Sequence, residues 1–458
     1  MPVGAASSIA GIRKARSASR VELFLVPSNV IRLAALQLRA HDRADYERLR
    51  ASIIQRIERA ARGRDLLVLP EGSFPAYVLG DAAIDDRLVA HTMAELARVA
   101  RTASCAIVAG AAIRHDDALF NSAVVIDRDG SLAGSAEKIF LWHFDRQWFT
   151  PGTVIAPIET SIGRLGVLIC ADGRMPGIGR ALVDAGAELL VMPTAWVTSG
   201  RNPHELENLQ ADLLAQVRAF ENGVPFIAAN KCGVELGMVA YCGKSQIVNA
   251  AGDLLAIASQ TEEEIVSAQV ELAAPAPKRA GSPSPSKRQP QPERVLRVAL
   301  AARALPPDIG ERLRILEADV ALASSGTDDF AAVDAALPAV RVDANDAFDP
   351  GLLLQYRMAG YRVAVLDAAS SHSWLERVAR ARAAELRLYV IVFDRAAPRA
   401  YAVDPDGAIV AGTFDDYEIA SFALDSRRTA QTLVAPHTDV AEGVALVQSL
   451  SHRAASVS

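Results

Sequence analysis

The sequence contains no unbroken apolar run of about 18 residues, which excludes an ordinary membrane-spanning helix. It has only four cysteines in 458 residues, Cys105, Cys170, Cys232 and Cys242. That is too few for a disulfide scaffold, and none of them has the paired CxxC spacing of a zinc site. All four precede residue 243, so the second half of the chain has no thiol chemistry. An excess of positive charge is also missing: the formal net charge is -6, which argues against nucleic acid or an acidic membrane as the main partner. No ligand cluster stands out, and neither a metal nor an organic cofactor is expected. The first 20 residues carry Arg13, Lys14, Arg16 and Arg20 with no acid before Glu22, yet they lack the apolar core of a secretory signal. Residues 1–30 are expected to be a peripheral extension, only weakly like a transit peptide, and the protein to be soluble and cytoplasmic.

What is present is the balance of a globular protein, 51% hydrophobic and 22% charged residues, with length for two or three domains. The Pro/Ser-rich segment AAPAPKRAGSPSPSKRQPQPE, residues 273–293, reads as a linker. It separates a first domain at 31–272 from a second at 294–445, followed by a tail at 446–458. The first domain alternates apolar runs such as IRLAALQL (31–38), DLLVLP (65–70), CAIVAGAAI (105–113) and ELLVMPT (188–194) with helical patterns near 43–62, 86–103, 178–186 and 204–222. Strands apolar on both faces imply sheets covered by helices. Turn signals at DRDG (127–130) and NAAGD (249–253) add antiparallel hairpins, so a layered α/β sandwich is expected. Cys232 and Cys242 bound a Gly-containing segment, GVELGMVAYC, that reads as a loop.

The second domain resembles a shortened copy of the first. Adding 174 carries Asp172 to Asp346, Pro176-Gly177 to Pro350-Gly351, and Ala185-Gly186 to Ala359-Gly360, each followed by an apolar strand. The same shift carries Cys170 to Ala344 and Arg174 to Phe348. Further on, RAFENGVPFIAAN (218–230) pairs with RAAELRLYVIVFD (382–394), and VNAAGDLLA (248–256) with VDPDGAIVA (403–411). The middle of the first domain has no counterpart.

Three polar residues follow apolar strands or sit in loops of the first domain: Glu71 in LLVLPEG, Lys138 in SAEKIFLW and Cys170 in VLICAD. Carboxyl ends of strands are where side chains converge on ligands in open α/β sheets. Taken singly, a buried cysteine is a small core residue, a glutamate after a strand a cap, and a lysine a surface group. Together, PEG after a strand, EK followed by FTPG (149–152), CAD after a strand and PTAW (193–196) resemble the nitrilase superfamily of carbon-nitrogen hydrolases over residues 31–272. The resemblance implies a four-layer αββα sandwich, followed here by a smaller degenerate copy of the same fold. It assigns Glu71, Lys138 and Cys170 to a catalytic triad. Physical chemistry agrees: a thiolate needs a base, and an oxyanion needs a fixed cation such as Lys138 and an N–H such as that of Ala171.

Asp145 stands where the family more often has glutamate, which favours a positioning role over a direct one. His143, beside it, is either structural or a substrate contact, and Trp196 is a supporting residue. CADGRMP is similar to amidase and carbamoylase branches, in contrast to the Trp-Glu of nitrile-acting ones, and Arg174 is a candidate for a substrate carboxylate or for a structural ion pair. Gly177 departs from the glutamate common in those branches. The expected function is thiol-dependent hydrolysis of a small amide or N-carbamoyl compound. The alternatives are an inactive scaffold, acyl transfer from the same thioester, and an ammonia-delivering glutaminase, the last prompted by SSGTDD (324–329). The second copy is expected to cover the first as an intramolecular pseudo-dimer partner, with homo-oligomers also possible.

Overall fold

Apolar alternation in the first domain builds two sheets that share one core. The computed structural model describes residues 30–198 except 82, 206–272, 285–324, and 328–457 except 414, 416 and 417. Residues 1–29 and 273–284, within the expected extension and linker, lie outside the described residues. The first sheet runs, in spatial order, Val239–Cys242, Lys231–Glu235, Val30–Arg39, Leu66–Val68, Ala106–His115, Ala118–Ile126, Leu132–Glu137, and Glu264–Glu271 also pairs with Val30–Arg39. The second runs Leu254–Ile257, Gln246–Val248, Phe226–Ala229, Leu189–Pro193, Gly163–Val167, Ile158–Thr160.

Period-two alternation sorts the strand residues between faces. Ala34, Leu36, Leu67, Leu69 and Ile107 pack under the helices Tyr46–Ala61 and Asp86–Ala103. Their neighbours Leu33, Ala35, Leu66, Val68 and Val108 face Leu165, Val167 and Val191 of the second sheet. The far side of the second sheet is covered by the helices Pro176–Asp184 and Ala215–Asn222. The result is a mixed α/β fold of several sheets. Both turn signals form hairpins, with Gly130 at φ 83° and Gly252 at φ 87°, where only glycine avoids strain.

Three elements differ from the sequence expectation. The segment expected as a loop is a hairpin, Lys231–Glu235 with Val239–Cys242, in which Cys232 and Cys242 stand directly opposite each other. The pattern near 204–222 starts at Gln210 with one π-helical turn before the helix Ala215–Asn222. The tail placed at 446–458 is instead continuous with a helix, Val440–Val457, whose Val444, Val447 and Leu450 are buried in the main core.

The second half has a three-stranded sheet, Val320–Ala323, Val295–Ala301, Ile419–Asp425, and a five-stranded one, Ala339–Asp343, Val363–Ala368, Tyr389–Asp394, Arg399–Val403, Ile409–Thr413. Strand directions repeat those of the first half. Parallel Leu165/Leu189 and Leu190/Phe226 pairings recur as Ala339/Val363 and Val363/Tyr389, and the hairpin bulge at Ile247/Val248 recurs at Ala402/Val403. Gly186 and Gly360 have φ of 100° and 101°, and Gly252 and Gly407 have 87° and 84°. The two halves meet through their helices: Pro176–Asp184 packs on Pro350–Met358, and Ala215–Asn222 on Leu375–Leu386. At one edge of this junction Trp374 stacks on Phe220 at 4.5 Å with 9° between the rings. Removing a large buried aromatic leaves a cavity, so Trp374→Ala is expected to cost about 3–5 kcal/mol, read as a lower urea midpoint at unchanged slope.

Candidate active site

Each candidate residue sits where a regular element ends. Glu71 follows the strand Leu66–Val68, and its backbone N–H donates to the carbonyl of Thr194, which follows Leu189–Pro193 on the other sheet. Gly110 lets this turn approach the neighbouring strand: a Cβ there would lie 2.4 Å from the Pro70 carbonyl oxygen and 2.5 Å from Glu71 Cα. Lys138 follows Leu132–Glu137, with its N–H bonded to the Asn121 carbonyl and its own carbonyl bonded to Gly152 N–H. Cys170 opens a 3-10 turn, Cys170–Arg174, just beyond Gly163–Val167. Its φ of 46° is left-handed, a conformation that costs a non-glycine residue roughly 1–2 kcal/mol.

Glu71, Lys138 and Asp145 are fully buried, and Cys170 nearly so. Lys138 Nζ lies 2.6 Å from Glu71 Oε1 and 2.6 Å from Asp145 Oδ2. Asn121 Nδ2 donates to the same Glu71 oxygen at 2.7 Å, and Trp142 N–H donates to Asp145 Oδ2 at 2.9 Å. Burial raises the Glu71 carboxyl above its ordinary range, Lys138 opposes the rise, and Asp145 adds to it. Burial alone would lower the Lys138 ammonium, but Asp145 and Glu71 hold it well above the usual value. The Cys170 thiol is pushed up by burial and by Glu71, with Lys138, Thr194 and the Ala195 backbone acting the other way. A carboxyl with raised affinity for a proton, close enough to a thiol for each to shift the other and beside a fixed cation, can take that proton as the sulfur attacks.

The remaining candidates divide. Asp145 reaches Lys138 despite its short side chain, and Ala171 is buried within the turn. Trp196 is buried just beyond the strand Leu189–Pro193, its backbone N–H donating to Asn230 Oδ1 at 2.7 Å. His143 packs its ring on Phe144, and its backbone N–H donates to Thr438 Oγ1 of the second half at 2.7 Å. Arg174 lies over the Trp142 ring at 5.3 Å, and burial, then Arg387, lower its guanidinium to about 10. Among the described residues Arg174 has no carboxylate within ion-pair distance, and its Nε has no hydrogen-bond partner. Gly177 has no room for a glutamate: a Cβ there would come 2.8 Å from Val447 Cγ1 of the C-terminal helix. A cavity of about 230 Å³ lined by Arg357, Arg362, Arg387 and Val444 belongs to the second half and includes none of Glu71, Lys138 and Cys170.

Two residues near the triad had no role in the sequence reading. Asn121 lies mid-strand and nothing in its local pattern marks it. Asp172 is part of CAD and was the more findable. It accepts from Phe140 N–H at 2.7 Å, Ile139 N–H at 3.1 Å and Ile169 N–H at 3.0 Å, tying the segment after Lys138 to the strand end before Cys170. Burial pushes its carboxyl up to about 7 from an ordinary 3.8, against those three amides. A carboxyl protonated in the fold where it would ionise in the unfolded chain stabilises fully below pH 3.8, and that contribution is lost as pH rises through about 7. Asp172→Asn removes this titration, so urea unfolding across that range should give a stability that falls less steeply with pH than in the wild type.

A family model described as carbon-nitrogen hydrolase matches residues 32–279. A probable nitrilase of Schizosaccharomyces pombe is 33% identical over 159 residues, 35% of this chain and 56% of that protein, so this chain spans little more than half of that relative. A nitrilase of Pyrococcus abyssi is 32% identical over 47% of this chain and 80% of its own length. An (R)-stereoselective amidase of a Pseudomonas species is 30% identical over 45% of this chain and 73% of its own length. With its buried acid, ammonium and thiol converging at the ends of strands in a two-sheet core, the chain belongs to the carbon-nitrogen hydrolase family.

Proposed function

We propose that the first half hydrolyses the carbon-nitrogen bond of a small amide or N-carbamoyl compound through a thioester on Cys170. The observation that carries this reading is the single cluster in which Lys138 Nζ touches both Glu71 and Asp145 beside the Cys170 thiol. Cys170 Sγ attacks the carbonyl carbon as its proton passes to Glu71, and the oxyanion forms against Lys138 and the Ala171 N–H. Collapse breaks the C–N bond while Glu71 returns the proton to the departing nitrogen. Glu71 then removes a proton from water, which attacks the thioester, and the thiol is restored. Asp145 keeps Lys138 charged and aimed. Arg174, without an acidic partner among the described residues, supports a substrate that carries a carboxylate.

The second half reads as a noncatalytic copy of the first. Ala344 stands in the place of Cys170 and has no left-handed φ, and nothing among the described residues of the second half corresponds to the strands Ala106–His115 to Leu132–Glu137 that lead to Lys138. No described helix is long and apolar enough to cross a membrane.

Ammonia release from carboxylate-bearing amides and N-carbamoyl amino acids tests the reading. Release should vanish in Cys170→Ala and fall by about 10²–10⁴ in Glu71→Gln. Equal release from Cys170→Ala, or none from well-folded wild type across the panel, counts against it. Lys138→Ala leaves two buried carboxylates unpaired and should cost about 3–5 kcal/mol of stability in addition to activity, measured by denaturant unfolding.

A further inference from the structure

Four buried charges close the junction between the halves. Arg218 and Glu221 lie on the helix Ala215–Asn222, and Arg382 and Glu385 on the helix Leu375–Leu386. Each arginine meets both glutamates. Arg218 pairs with Glu221 on its own helix and with Glu385 across the junction. Arg382 pairs with Glu385 at 2.9 Å and, across the junction, with Glu221 at 2.5 Å. All four side chains are at most 1% exposed, and the two positive and two negative charges cancel.

The reciprocity continues one bond further. Arg218 Nε donates to the Gly173 carbonyl at 3.0 Å, and Arg382 Nε donates to the Ala347 carbonyl at 3.2 Å. Gly173 and Ala347 occupy the same place in the turns Cys170–Arg174 and Ala344–Phe348. Only the first of these turns begins with a left-handed residue, Cys170. A strained turn persists where its surroundings over-determine it. Asp172 ties this one to the segment after Lys138, and Arg218 holds its carbonyl from the other side.

We propose that Glu385, supplied by the noncatalytic half, is a positioning residue for Cys170: it fixes Arg218, which holds the Gly173 carbonyl and so keeps the nucleophile's turn in its strained form. The second half thereby serves as a partner on which the reactive thiol depends. The inference rests on Cys170 being the nucleophile, but not on which amide is cleaved.

The test uses the full chain with Glu385→Gln, which keeps shape and removes charge. Alkylation of Cys170 by iodoacetamide, followed by mass spectrometry as a function of pH, needs no substrate. Displacing a reacting group by a fraction of an ångström lowers rates by about tenfold or more, so Glu385→Gln should alkylate at least that much more slowly or with a shifted pH profile. On a hydrolysed amide, kcat should fall while KM changes little. Arg218→Lys and the double variant should lose no more than the larger single effect, because the two residues act through one path. Ile391→Val, a buried core change in the second half away from the network, should keep the wild-type profile. Wild-type alkylation in folded Glu385→Gln overturns the proposal, as does an equal loss in Ile391→Val. If Glu385→Gln does not fold, Glu385→Asp decides: a slower, shifted profile supports the proposal and an unchanged one overturns it. Alkylation that depends on Glu385 in a protein that hydrolyses no amide would refute the hydrolase reading and leave this one standing.

Discussion

The burial of one ammonium group, Lys138, between Glu71 and Asp145 is the constraint around which the first half is organised. Moving a charge out of water costs several kcal/mol even after the protein relaxes, so three ions remain inside only as a mutually paired set. Each arrives from a different segment: Glu71 after a strand near the middle of the sheet, Lys138 from the end of Leu132–Glu137, and Asp145 from the 3-10 turn His143–Gln147. The segments must therefore meet at one point. In the hydrolysis proposed above the same pairing has a second use, since the cation that neutralises the carboxylates is also the one set against the negative charge of an attacked carbonyl.

Strain is distributed unequally between the two halves. Cys170 is left-handed, Ala344 is not, although both open turns of equal length before helices that begin with Pro176 and Pro350. Framework features such as the left-handed glycines 186 and 360 are shared. Of these two turns only the one that opens with a thiol carries the costly conformation, which also occurs at other non-glycine residues such as His143 and Arg387.

Much of this was legible in the chain. The strands Val30–Arg39 and Leu66–Val68 are apolar on both faces, so the sheets and their flanking helices could be read from apolar runs set between helical patterns, and the constant spacing from Asp172 to Asp346 links two 3-10 turns of equal length. Glu71, Lys138 and Cys170 are grouped through the resemblance of their motifs, PEG, EK and CAD, to a known family and not through their strand-end settings alone. Less legible was the strand Leu132–Glu137, whose LAGSAE sequence is half-exposed and carries no strong alternation. The hairpin around Cys232 and Cys242 was hidden by its glycines. Asn121, and the pairing of Arg218 with Glu385, depend on contacts between residues far apart in the chain, which no local pattern encodes.

The junction also changes how the molecule responds to dilution. When two separate subunits meet through buried charges, the occupancy of their interface falls with protein concentration, and each unpaired surface would face water with its ions exposed. Here Arg218 and Glu385 belong to the same chain, so the interface closes at an effective concentration set by the connecting segment and not by the solution. A single molecule therefore holds both sides of this junction at fixed stoichiometry.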